Sequence, residues 1–170
     1  MDTEPTVIDP TFCDVIAAEA GGEHIRRCFG CGTCTASCPV REVTDRYNPR
    51  RIIHMALLGL REEVLSSDFV WLCSNCYACQ ERCPQDVRIT DLMHAIKNIA
   101  VREGHIHPSF RQQIALLGAH GRLYDITTLE NERRSEQGLP EIVESAEHLA
   151  RILNWTGLDA VAGVAAEEQP

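Results

Sequence analysis

Eight of the nine cysteines in this 170-residue chain fall into two identical runs, and that repeat constrains the fold more than any other feature. The first run is Cys28-x2-Cys31-x2-Cys34-x3-Cys38-Pro39, and the second is Cys73-x2-Cys76-x2-Cys79-x3-Cys83-Pro84. Every cysteine of the first run, and its proline, lies 45 residues before its counterpart, and Gly59 and Gly104 keep the same offset. The repeating unit is therefore a cysteine loop, a helix and a stopping glycine, used twice.

Three thiols within seven residues, followed by a fourth, suit a cube better than a point. Two-residue spacers let a loop wrap a cubane and offer three thiolates in succession. Structural zinc sites use separated pairs of ligands, so they fit this spacing poorly. A disulfide framework belongs to oxidising compartments, and the acidic start Met1-Asp2-Thr3-Glu4-Pro5 has no apolar run of the kind a secretory leader needs. The expectation is two [4Fe–4S] clusters in a soluble, cytoplasmic chain. In the bacterial form of this motif the fourth cysteine ligates the other cluster. Crossed ligation then assigns Cys28, Cys31, Cys34 and Cys83 to cluster 1, and Cys73, Cys76, Cys79 and Cys38 to cluster 2. The prolines after Cys38 and Cys83 turn the chain away, and Gly30 and Gly32 leave room for backbone close to a cluster or serve ordinary turns.

The intervening residues read as helix. Asn48-Pro49 is a cap followed by proline at the first helical position, and Ile52, Ile53, Ala56, Leu57 and Leu60 form a stripe at helical spacing. Thr90 is the expected cap of a second helix, with Leu92, Met93, Ile96, Ile99 and Ala100 on one face and Gly104 at its end. Further stripes predict helices at Ser109–Leu117, after Thr127 or Thr128 up to Gly138, and from Pro140 through Ile142, Ala146, Leu149 and Leu153. A short helix is expected between Pro10 and Ala20. The fold class is all-α: a helical ferredoxin over residues 24–108, an N-terminal extension over 1–23, and a helical C-terminal extension over 109–170 read as a subunit-docking segment.

Charge follows the same division. Residues 24–103 hold 11 Arg/Lys against 9 Asp/Glu, while 1–23 carry a net −6 and 104–170 a net −5 within an overall −9. That acidity excludes nucleic acid as a natural partner, and the apolar stretches are too short to span a membrane. Cys13 stands outside both motifs and reads as a lone buried cysteine. His54 and His94 occupy corresponding helices at an offset of 40, and His105 and His107 read as loop residues. Trp71 and Tyr77 bracket the second motif and are expected to shield its cluster. Neither a dinucleotide fingerprint nor a P-loop nor a nucleophile elbow is present, so no catalytic residue is assigned: the chain relays electrons supplied and accepted by partners.

The residues between the cysteines carry a resemblance. Cys28-Phe29-Gly30-Cys31-Gly32-Thr33-Cys34-Thr35-Ala36-Ser37-Cys38-Pro39-Val40, Asn48-Pro49-Arg50-Arg51-Ile52-Ile53, Trp71-Leu72-Cys73-Ser74-Asn75-Cys76-Tyr77-Ala78-Cys79 and Ile89-Thr90-Asp91-Leu92 resemble the C subunit of heterodisulfide reductase. The resemblance covers residues 9–110 well and the tail loosely. It implies a soluble complex in which this chain links two others. One is an A-type subunit that bears flavin and iron–sulfur clusters and is the seat of flavin-based electron bifurcation. The other is a catalytic B-type subunit with noncubane clusters. The alternatives are the iron–sulfur subunit of a flavin-dependent lactate, glycolate or glycerol-3-phosphate dehydrogenase, and an iron–sulfur sensor without turnover.

The crossed motif generates a test. Anaerobically purified protein is expected to hold about eight irons and eight sulfides. Cys83→Ser should damage the cluster of Cys28, Cys31 and Cys34 rather than that of its sequence neighbours, read from the two electron paramagnetic resonance signals. Loss of only the second cluster's signal would contradict the crossing.

Overall fold

The computed structural model describes residues 7–124, 126–143 and 145–162, and no strand occurs among them. The chain divides after His105 into two compact units.

The first unit opens with α1 (Phe12–Ala18) and a 3₁₀ turn at Ile25–Arg27. Two short helices, α2 (Thr33–Ala36) and α3 (Pro39–Val43), belong to the first cysteine run. Then come α4 (Pro49–Leu57), α5 (Arg61–Leu65), a 3₁₀ turn at Asp68–Leu72, α6 (Ala78–Glu81) in the second run, and α7 (Ile89–Arg102). The expected caps hold for α4: the Asn48 side chain accepts from the Arg51 N–H at 3.0 Å, Pro49 takes the first position, and Gly59 follows at φ +76°. Glycine is required at Gly59 on two counts. A Cβ there would lie 2.3 Å from the carbonyl oxygen of Asp9, whose own N–H donates to the Gly59 carbonyl at 2.8 Å.

That contact ties the N-terminal segment down. Phe12 and Ile16 of α1 are fully buried with Ile52 and Ile53 of α4, Val64 and Leu65 of α5, and Leu92, Met93, Ile96 and Ile99 of α7. The α4 and α7 stripes read from the sequence are thus the two inner faces of one core, and α1 closes it. Arg61 reinforces the closure, donating to Asp9 at 2.9 Å, pairing with Glu103 and lying 5.3 Å from the centroid of the Phe12 ring. Cys13 is buried in this core.

Thr90 does not cap α7. Arg88 holds the cap position in a left-handed conformation, and Thr90 is buried inside the first turn, 1% exposed. Its capping partner comes from elsewhere in the chain, as described below.

The second unit contains α8 (Pro108–His120), α9 (Thr128–Glu136), α10 (Glu147–Thr156) and α11 (Leu158–Ala162). Thr127 and Glu130 form a capping box at the start of α9. The helix expected from Pro140 begins only at Glu147. The Asn131 side chain takes both backbone groups of Ile142, accepting from its N–H at 2.9 Å and donating to its carbonyl at 3.1 Å. Arg134 meanwhile donates to the Pro140 carbonyl at 2.9 Å. Those groups are engaged by α9 and are not available to a helical ladder. Leu153 of α10 is buried and lies over Gly118 of α8.

Phe12→Ala is expected to cost about 3–5 kcal/mol, as for other fully buried aromatics, seen as a lowered unfolding midpoint of the anaerobic protein. A change below about 0.5 kcal/mol would mean that α1 is not part of the core.

Candidate metal centres

Both cysteine runs wrap in the same way. A 3₁₀ turn leads to the first cysteine, two residues in the left-handed region bracket the second, and a one-turn helix carries the third. The left-handed residues are Gly30 (φ +78°) and Gly32 (φ +85°) in the first loop. Their counterparts 45 residues on are Asn75 (φ +54°) and Tyr77 (φ +62°). The second loop thus adopts with side chains what the first adopts with glycine, at the cost of backbone strain. Asn75, among the more tolerant residues for that region, is held by a 3.0 Å hydrogen bond between its Oδ1 and His94 Nε2. In the first loop His54 takes the corresponding place: a Cβ on Gly30 would lie 2.6 Å from its Nε2. His54 and His94 are each the sixth residue of their helices, so an offset of 40 in sequence is equivalence in space.

A second matched device fixes the third cysteine of each run. The Thr35 hydroxyl, next to Cys34, accepts from the Arg50 N–H at 3.1 Å and donates to Asn48 Oδ1 at 2.8 Å. Gln80, next to Cys79, accepts from the N–H groups of Thr90 and Asp91 at 3.1 and 3.4 Å and donates to Asp91 at 3.1 Å. Each cysteine loop thereby caps the helix that follows it, satisfying N–H groups that a helix start leaves open.

The cysteines surround two cavities. Cys28, Cys31, Cys34 and Cys83 line the first, and Cys38, Cys73, Cys76 and Cys79 line the second. The fourth cysteine of each run lies in the other run's cavity. Ile89 from the start of α7 walls the first cavity and Pro49 from the start of α4 the second. All nine thiols are free. Four thiols lining one cavity are the donor set that a cubane cluster requires.

The thiols differ in environment. Burial raises Cys34, and it pushes Cys79 up to about 11, against the opposing effect of the Thr90 hydroxyl 3.8 Å from its sulfur. Exposed Cys31 is lowered, first by the Thr33 hydroxyl 3.4 Å away. Burial therefore favours the neutral thiol over the thiolate at Cys34 and Cys79. Tyr47, which the cysteine pattern did not single out, is fully buried against the second cavity. Its phenol is raised, by burial first and then by the nearby Cys73. Tyr77 lines the same cavity, whereas Trp71 does not; the Trp71 ring lies under Lys97 instead. Cys13, His105 and His107 line neither cavity.

An all-helical frame that holds two four-thiol cages side by side defines a dicluster iron–sulfur protein, with two [4Fe–4S] clusters as its cofactors. Residues 24–87 match the 4Fe-4S dicluster domain family. The chain as a whole belongs to the family of heterodisulfide reductase C subunits. It is 36% identical over 163 residues to the C subunit of the H(2):CoB-CoM heterodisulfide,ferredoxin reductase of Methanothermobacter thermautotrophicus, covering 92% of this chain and 87% of the relative. To the C subunit of the ferredoxin:CoB-CoM heterodisulfide reductase of Methanosarcina mazei it is 38% identical over 151 residues, covering 85% and 92%. A protein of Archaeoglobus profundus described as like the heterodisulfide reductase C subunit is 29% identical over 146 residues, covering 86% and 76%. The present protein is accordingly an iron–sulfur electron-transfer subunit of heterodisulfide reductase type.

Gln80→Leu leaves the buried start of α7 without an acceptor for two N–H groups, and is expected to destabilise the first unit by about 1–3 kcal/mol. Thermal unfolding of the anaerobic protein measures it. An unchanged midpoint would show that the side chain does not hold that helix start.

Proposed function

We propose that this chain relays electrons between an A-type partner bearing flavin and iron–sulfur clusters and a catalytic B-type partner in a soluble, cytoplasmic heterodisulfide reductase-like complex. Bound clusters supply two one-electron sites, and the residues do the rest. Cys28, Cys31, Cys34 and Cys83 hold one and Cys73, Cys76, Cys79 and Cys38 the other. The single observation that carries the reading is the interleaving of the two cages. Helices α2 and α6, which bear Cys34 and Cys79, pack on one another, and each cage includes a cysteine from the far run. That arrangement keeps donor and acceptor positions at a fixed short separation.

Each cage also has one exposed cysteine, Cys31 in the first and Cys76 in the second. Near Cys31 lies Phe29, 65% exposed, and beside Cys76 lies Tyr77, 42% exposed. These are the two edges at which electrons enter and leave, one toward each partner. The relatives' names specify a heterodisulfide and ferredoxin for those proteins; here a disulfide-reducing partner is the corresponding proposal. Among the described residues no helix is long and apolar enough to cross a membrane.

The second unit supplies the docking surface. Its α10 turns Leu153 inward, while Trp155 is 87% and Ile152 50% exposed. Trp with neighbouring Arg151 is the composition of an interface anchor. Truncation after residue 108 tests the assignment. The shortened chain should keep about eight irons while the catalytic partner no longer co-purifies. Loss of the irons would make the second unit part of the cluster-binding body, and retention of the partner would place docking elsewhere.

A further inference from the structure

The two cages differ in the charge along their walls. Residues 27–34 and 82–89 supply all of the first cavity's lining except Arg50. They hold Arg27, Arg82 and Arg88 against a single acid, Asp86, so that with Arg50 the net charge is +3. No charged side chain lines the second cavity, and residues 72–80, which bear three of its cysteines, carry no charge. Arg41 and Arg46 stand next to its wall residues Val40 and Tyr47, but each has a carboxylate of its own, Asp45 and Asp68.

The arginines at the first cage must share one. Arg27 lies 3.5 Å and Arg88 3.7 Å from the Asp86 carboxylate, and all three side chains are more than half exposed. Arg50 and Arg82 are exposed as well, with no ion pair among the described residues. The segment is held in place. His24 Nδ1 donates to the Asp86 carbonyl at 2.8 Å, and Asp86 and Arg88 both keep left-handed backbone, at φ +49° and +56°. Non-glycine residues hold that conformation only where their surroundings enforce it. Exposed ion pairs contribute little to stability, so these guanidinium groups keep donors for an outside carboxylate, which they can grip with two parallel bonds.

The flanking segments have the opposite sign, −6 over 1–23 and −5 over 104–170. An acidic surface is drawn to this edge and repelled by those segments, which orients the encounter. We infer that the edge of the first cage, with exposed Phe29 and Cys31, docks against a carboxylate-rich surface on one redox partner. The uncharged edge at Tyr77 receives the other partner without electrostatic steering. This inference rests on the proposed relay and adds the chemistry of the surface that its first edge meets.

The test is the association of the full chain, loaded with iron anaerobically, with immobilised A-type and B-type partners. Rates are read by biolayer interferometry from low salt up to about 1 M, where the screening length is about 3 Å. Arg27→Gln combined with Arg88→Gln should slow association with one partner about tenfold or more at low salt. Iron content should not change, and the difference should vanish at high salt. Arg27→Lys with Arg88→Lys should keep most of the rate, and Arg41→Gln with Arg46→Gln should leave that partner's rate unchanged. If the double glutamine variant loses iron, Arg88→Gln alone takes its place, with a smaller drop expected. Equal rates for variant and wild type, equal losses with both partners, or a loss that salt does not remove would overturn the inference. So would phosphate slowing association more than chloride at the same ionic strength, because the arginines would then form a small-anion site. If the wild-type chain associates with neither partner, the relay reading fails first and takes this docking edge with it.

Discussion

Neither cysteine loop completes a cage by itself. Cys83 reaches into the cavity built by Cys28, Cys31 and Cys34, and Cys38 into the one built by Cys73, Cys76 and Cys79. This exchange of fourth walls is the constraint on which the first unit depends. It forces α2 and α6 together, and it brings the starts of α4 and α7 against the cages as Pro49 and Ile89. The helices then run away from the thiols with their apolar faces toward one another, where Ile52 and Ile53 meet Leu92, Met93 and Ile96. A chain of this size would otherwise bury a modest core. With clusters held by the crossed thiols, metal–thiolate bonds shared between the halves would couple cluster binding to folding.

Duplication explains the architecture, and divergence explains its detail. The loop must turn left-handed twice in each half. One half uses Gly30 and Gly32, where a side chain at Gly30 would strike His54; the other uses Asn75 and Tyr77 and anchors the asparagine through His94. The start of the following helix must be capped from the loop, and one half does so with a threonine hydroxyl and the other with a glutamine amide. Geometry fixes where an acceptor or a left-handed residue has to be, and several side chains meet the requirement. The shorter connection from Cys83 to α7 than from Cys38 to α4 accounts for the histidines being 40 residues apart while the cysteines are 45 apart.

The electrostatics follow from what is buried. Burial raises the Cys34 and Cys79 thiols, whereas Cys31 and Cys76 lie exposed at the surface. The second unit, by contrast, has Leu153 as its one buried large apolar side chain among the described residues and shows Trp155 and Ile152 to solvent. Its helices pack with apolar surface left over.

Much of this is legible in the sequence. The spacing of eight cysteines specifies two cubanes, because coordination chemistry ties ligand number and loop length together. Asn48-Pro49, Gly59, Gly104 and Thr127 mark helix ends because caps are local devices whose partners lie within a turn. The stripes of α4 and α7 announce the core for the same reason: a helix face is set by residues three and four apart. The rest depends on partners distant in sequence. Thr90 looks like a cap and is a buried wall residue, because Gln80 takes its helix start. The helix expected from Pro140 is pre-empted by Asn131. Tyr47, with no motif of its own, closes the second cage, and Lys97 is one basic residue in a helix until folding sets it over the Trp71 ring. Local chemistry can be read along the chain, whereas which groups are withdrawn from water together is decided only when the two halves close on each other.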